Sequence, residues 1–221
     1  MVKSKLTTAC SAHGHPEFEI EFNSESVLQL DVDWFFTYLA DQVKQGVTFK
    51  PNQLIQVGWM MNRIERSKNG LTLLEPDFKE FPIKFVSGMT ETFRQLRWQK
   101  STAESVGLEA DLDFPTILHS GITCLRHEDS VDFVMDRAQS KNRDSGWFIG
   151  CNDPKHDHNE PANLRTASLY ELVIAKPACI PFLALPVHSF VRRVANRVEI
   201  TLKNKVLKIN ENSFLERLQK L

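Results

Sequence analysis

Two periodicities alternate along this chain, and each predicts a different element. Glu17–Phe22 alternates acids with Phe18, Ile20 and Phe22, the period-two pattern of a half-buried strand. Val32, Phe35, Phe36, Leu39 and Val43 then recur every three or four residues. That spacing predicts an amphipathic helix, capped by Asp31 and stopped at Gly46. Ile55, Val57 and Trp59 alternate again within Gln53–Glu65, which reads as a strand. Asn69-Gly70, set between Ile64 and Leu71–Leu74, predicts a hairpin because both residues tolerate positive φ. Thr90 stands where it would cap a second helix running to about Val106 and closed by Gly107. Phe93, Leu96, Ala103 and Val106 form the apolar side of that helix, and Arg94, Arg97 and Lys100, close to Trp98, give it a charged outer face.

The stretch Gly107–Pro115 (GLEADLDFP) reads as a linker or long loop, and it divides the chain into an N-terminal domain, 1–114, and a C-terminal one, 115–221. Strands are expected near Gly121–His127, Val131–Asp136, Gly146–Cys151, His188–Val194 and Arg197–Lys203. Ser168 and Glu171 form a capping box for a helix over Leu169–Lys176, which Pro177 stops. Ser213 and Glu216 form another and start a short C-terminal helix. Strands and helices mix without strict alternation in both halves. The expected class is therefore α+β: mixed or antiparallel sheets with a few packed helices, in two small domains or one bipartite domain.

Composition narrows the function. A formal net charge of −1 makes no general case for nucleic acid. The charge is uneven, though: residues 6–43 hold seven acids and no Lys or Arg, while residues 176–221 hold nine bases against three acids. Two solvated faces account for this, or each end steers a charged partner. The N-terminal stretch lacks the apolar run of a signal peptide, and no segment approaches the ~20 apolar residues of a membrane helix. Cys10, Cys124, Cys151 and Cys179 are scattered, with no C-x-x-C pair, so reduced thiols and a cytoplasmic setting are expected.

Candidate chemistry is sparse. There is no nucleophile elbow and no phosphate-binding loop. Ser120 follows His119, but neighbours on a strand point to opposite faces. No catalytic residue and no cofactor is assigned, and the chain is expected not to be an enzyme. Cys10, His13 and His15 have a spacing that begins a metal site, with nothing nearby to complete it. In the loop Cys151–Glu160 (CNDPKHDHNE), His156 and His158 with Asp153 or Asp157 suit a transition metal. A structural zinc site wants four converging ligands, however, and Cys151 is the one nearby thiolate, so no metal is assigned. A metal-dependent hydrolase would need His119, His127 or His188 to join that loop. Trp147 reads either as a core anchor beneath the Leu169–Lys176 helix or as an interface anchor.

The run DSGWFIGCNDPKHDHNEPANLRTASLYELVIAKPACIPFLALP resembles the bacterial immunity protein 33 family. In that family a Ser-Gly-Trp strand leads through an acidic loop and an Asn to a helix, then to a Pro-containing stretch and an Arg-bearing strand. The matching residues here are Ser145, Gly146, Trp147, Gly150, Asp153, Asp157, Asn163, the Leu169–Lys176 helix, Pro177, Pro186 and Arg192. The resemblance covers roughly the last 100 residues. The loop is His-rich where the family carries mainly acids. Upstream, DVDWFF…GW…EPDF…TFRQLRWQKSTAESVGLE resembles the region that accompanies such tails in bacterial proteins. The resemblance implies an immunity protein that binds a cognate bacterial toxin and blocks it stoichiometrically; charge and hydropathy add the expectation of no nucleic-acid or membrane partner. The loop beside Trp147 is the expected contact surface, through Trp147, Asp153, His156, Asp157, His158, Glu160 and Asn163. The alternatives are the metal-dependent hydrolase and a generic protein-binding scaffold.

Overall fold

Alternating strands and two amphipathic helices build the first of two units, Met1–Arg97, in a computed structural model that describes residues 1–128 and 131–220. β1 (Val2–Leu6) and β2 (Glu19–Asn23) form an antiparallel pair. β3 (Leu54–Val57), β4 (Met60–Ser67), β5 (Gly70–Asp77) and β6 (Lys84–Ser87) form an antiparallel meander in sequence order. The expected strand over 53–65 is two strands, because Gly58 takes φ 61° and turns the chain so that Val57 pairs with Met60. The predicted hairpin is present, with Ser67 opposite Gly70. Gly70, at φ 142°, is required by a close approach as well: a Cβ there would lie 2.2 Å from the Glu17 carbonyl oxygen. That carbonyl accepts the Leu71 amide, which ties the start of β2 to β5.

α1 (Gln29–Lys44) buries Val32, Phe35, Phe36, Leu39 and Val43, the face the periodicity marked. Its cap differs from expectation. Asp31 lies inside the first turn, 2% exposed, where the Arg97 guanidinium grips both its oxygens at 2.9 and 2.5 Å. α2 (Thr90–Glu104) is likewise not capped by Thr90, whose hydroxyl accepts the Asn23 amide. Its free amides at Glu91 and Thr92 go to the Glu75 carboxylate at 3.1 and 2.7 Å. Burial raises that carboxyl to about 7 in spite of these donors. A carboxyl from a neighbouring strand thus does the work a local cap would do.

The second unit, Trp98–Leu221, holds a mixed sheet. Its strands are β7 (Ser120–Cys124), β8 (Phe133–Arg137), β9 (Asp144–Cys151), β10 (Leu164–Ser168), β11 (Ser189–Val194), β12 (Arg197–Leu202) and β13 (Lys205–Val206), in the order β10-β7-β9-β8-β11-β12-β13. β7 and β9 run parallel, and every other pair is antiparallel. One face is covered. α3 (Leu169–Ala175) buries Leu169, Tyr170, Leu172 and Val173, and the 3₁₀ turn Pro177–Phe182 adds Cys179, Ile180 and Phe182. α3 comes within 3.2 Å of where a Cβ on Gly121 would sit, so glycine there lets helix and sheet close. The opposite face stays open: Ile122, Asp136, Arg192 and Glu199 are exposed, and Phe148, Val134, Phe190 and Thr201 are half-buried among them. α4 (Phe214–Leu218) docks through buried Leu215, whose amide donates to the Ser105 hydroxyl. The architecture is α+β with mixed and antiparallel sheets, as the patterning predicts. No helix of the described residues is long and apolar enough to cross a membrane.

Candidate functional site

The Ser-Gly-Trp strand is built as a structural knot, and that knot positions the loop after it. Gly146 sits at φ 76°, and a Cβ on it would lie 2.1 Å from the Ala138 carbonyl oxygen, so only glycine fits. This kink coincides with an irregularity in the β7–β9 register between Ser120 and Ile122. Ser145 is buried there, donating its hydroxyl to the Ser120 carbonyl at 2.7 Å and accepting the Trp147 amide at 3.2 Å. Trp147 is 1% exposed, and its indole N–H donates to the Leu183 carbonyl at 3.0 Å. It is a core anchor and offers no surface to a partner. Arg137, also buried, lays its guanidinium over the Trp147 ring and donates to the carbonyls of Asp113 and Leu185. It also pairs with the Asp113 carboxylate at 3.0 Å.

The strand delivers the chain into the loop 152–163, which holds itself in shape by side-chain turns. Asp153 accepts the Lys155 amide at 2.9 Å and the Arg126 guanidinium at 3.0 Å. Asp157 accepts the Asn159 amide at 2.8 Å, and Asn163 donates its side-chain amide to the Asp157 carbonyl at 2.8 Å. Glu160 caps the turn Pro161–Asn163 by accepting the Ala162 amide. Arg192, across the open sheet face, donates to the Asn152 side-chain oxygen at 3.2 Å. Asp157 and Glu160 are exposed, while Asp153, His156, His158 and Asn163 are half-buried. Six of the seven residues singled out in the sequence therefore share one ordered loop, and Trp147 lies beneath it in the core.

The two loop histidines turn inward. Their rings are 5.1 Å apart, and His158 meets Phe148 edge-on at 5.2 Å. Gly150 leaves the space: a Cβ there would stand 2.6 Å from the Phe148 ring and 3.3 Å from the His158 ring. Burial, with help from neighbouring His156, lowers the pKa of His158, so it is neutral near pH 7. Its Nε2 lies 3.5 Å from Cys151 Sγ. Cys151 ends β9 and Cys124 ends β7, and the Cys151 amide donates to Cys124 Sγ at 3.2 Å. Burial raises the Cys124 thiol above its ordinary value. One ligand atom from each of Cys124, Cys151 and His156 lies within 4.8 Å of the others. A second thiol is thus supplied from β7 by Cys124, a residue that spacing alone did not connect to the loop.

The other residues named for a metal or catalytic site lie outside this cluster, and His127, nearest to it, keeps a buried Nε2 without a hydrogen-bond partner. His127 Nδ1 contacts the Cys124 carbonyl, His119 Nδ1 accepts the Thr116 amide, and His188 lies beside Asp136 and Lys203 on the open face. Ser120 donates to the Arg143 carbonyl. Cys10 and His15 are buried in the first unit and His13 is exposed. His15 Nε2 accepts the Phe49 amide at 3.0 Å, and its ring stacks on Phe18, so it is a satisfied core histidine.

No curated protein and no solved structure matches the chain. Residues 99–199, from within α2 through the Ser-Gly-Trp strand, the loop and α3 to β12, match the family model of the Imm33-like domain.

Proposed function

We propose that this chain is a bacterial immunity protein that binds and neutralises a cognate toxin by stoichiometric contact, without turnover. The observation that carries the reading is the Imm33-like match over residues 99–199. The contact surface lies in the half from 115 to 221, on the loop 152–163 and the open sheet face beside it. Asp153, His156, Asp157, His158, Glu160 and Asn163 form the loop side, and Phe148, Phe190 and Arg192 extend it across the sheet. Two physical features support this choice. The loop is ordered before any partner arrives, through its own turns, so little conformational entropy is lost on binding. The open face mixes half-buried aromatics with exposed charges, the composition of an interface core and rim. A stable complex needs about 800 Å² from each partner, so the surface has to include the sheet face as well as the loop. The chain acts in the cytoplasm, where the free thiols of Cys10, Cys124, Cys151 and Cys179 stay reduced.

The test is capture of the partner and proof that it is a toxin. Tagged protein drawn from its native lysate should bring down one protein at near-equal amount, and that protein expressed alone should arrest growth that co-expression restores. Asp157→Asn with Glu160→Gln keeps the turn-forming oxygens and removes both charges. This variant should bind about tenfold more weakly at low salt, with the difference shrinking as salt rises. Capture of no stoichiometric partner, or of one that is harmless when expressed, would sink the proposal.

A further inference from the structure

Two thiols at the ends of β7 and β9 meet the two imidazoles of the loop on its inner side. β7 and β9 are parallel with Thr123 opposite Ile149, so Cys124 and Cys151 finish side by side at the same end of the sheet. The loop then turns back at Asp153–His156, where the His156 amide donates to the Asp153 carbonyl, and returns both histidines to the two sulfurs. Ligand atoms of Cys124, Cys151 and His156 already lie within 4.8 Å of one another, and His158 Nε2 is 3.5 Å from Cys151 Sγ. A tetrahedral zinc ion, with bonds of about 2.3 Å to sulfur and about 2.0 Å to nitrogen, sets neighbouring ligand atoms roughly 3.3–3.8 Å apart. The His158–Cys151 contact stands at that spacing, and the atoms of Cys124, Cys151 and His156, within 4.8 Å of one another, would draw closer around an ion.

Further observations point at the same centre. Cys124 Sγ accepts two backbone amides, from Cys151 and Arg126, the kind of donors that stabilise a metal-bound thiolate. His156 Nε2 is buried and finds no hydrogen-bond partner, an arrangement that costs free energy unless something occupies the nitrogen. Phe148 holds the His158 ring from the side, and the Arg126–Asp153 pair clamps the turn that delivers His156.

We infer that Cys124, Cys151, His156 and His158 form a zinc site that fastens the loop 152–163 to the ends of β7 and β9. Two sulfurs and two imidazoles select zinc over the harder cations, which prefer oxygen. Four protein ligands leave no open position, so the ion is structural and does not activate water. Binding displaces the protons the thiols carry into solvent. The site stands independently of the toxin reading; where both hold, the ion keeps the recognition loop in its binding shape.

The experiment is metal titration of the reduced, chelator-stripped full chain, with cobalt(II) as the spectroscopic probe and zinc in competition with a chromophoric chelator. One equivalent of cobalt should give the intense visible bands of tetrahedral coordination and a sulfur-to-cobalt charge-transfer band, both abolished by one equivalent of zinc. His156→Ala and His158→Ala change half-buried loop residues and leave the core intact, which circular dichroism verifies. Each should weaken zinc binding by more than about 100-fold, beyond what losing a supporting residue costs. Zinc should raise the unfolding temperature of the unmodified protein and leave that of both variants unmoved. A six-coordinate cobalt spectrum without thiolate charge transfer, or unchanged zinc affinity in either histidine variant, would overturn the site. Neither result bears on toxin capture, so the two readings fail separately.

Discussion

At the scale of single residues, backbone geometry makes the strongest demands. Gly146 combines φ 76° with a Cβ position 2.1 Å from the Ala138 carbonyl oxygen, so Gly146→Ala must move backbone as well as adopt a strained conformation. We expect it to lower unfolding free energy by more than about 2 kcal/mol. Urea denaturation checks this, and a loss within about 0.5 kcal/mol would show that the kink is not what the fold needs. Glu17 makes a different demand. Partial burial pushes its carboxyl up, but hydrogen bonds from Thr7, Ser11 and Cys10 outweigh that and hold it at about 2 against an ordinary value of 4.5. The sign follows from linkage: a depressed pKa gives stability that is complete above about 4.5 and is lost as pH falls towards about 2. Glu17→Gln should therefore cost about 1 kcal/mol at neutral pH, allowing for solvent screening, and the gap to the unmodified protein should narrow on acidification. Paired urea titrations from neutral pH to about 3 measure it, and a gap that ignores pH would refute the assignment.

At the scale of elements, local chemistry decides the ends where side chain and helix are neighbours in sequence. Ser168 accepts the Glu171 amide and starts α3 where the capping box places it; Ser213 does the same for α4 with Glu216. Ser168→Ala should cost about 1 kcal/mol in a urea unfolding experiment, because it leaves that amide without its partner on a helix that carries much of the second unit's core. An unchanged midpoint would mean that α3 is held by burial alone. Where the cap comes from a distant strand, as Glu75 does for α2, no local pattern announces it. The same holds for strands. β4 and β5 were legible because their hairpin turn lies between them, whereas β1, β6, β10 and β13 lack strong alternation and owe their assignment to the strand they pair with.

At the scale of the whole molecule, the amphipathic face of α1, the hairpin at residue 70, the capping boxes of α3 and α4 and the α+β class were all determined by the sequence. Each rests on residues within a few positions of one another, where periodicity and turn chemistry act directly. The Ser-Gly-Trp run likewise marked the stretch that matches the Imm33-like family model. Its structural role was decided by tertiary structure: the run gains a glycine-only kink and a buried Trp from contacts with Ala138, Leu183 and Arg137. The grouping of Cys124 with Cys151, His156 and His158 belongs to the same class. Cys124 and Cys151 lie 27 residues apart, and it is the parallel pairing of β7 with β9 that brings them together. Strand partners are chosen by the global burial of two sheet faces, a property summed over the whole unit, so no local stretch of sequence encodes it.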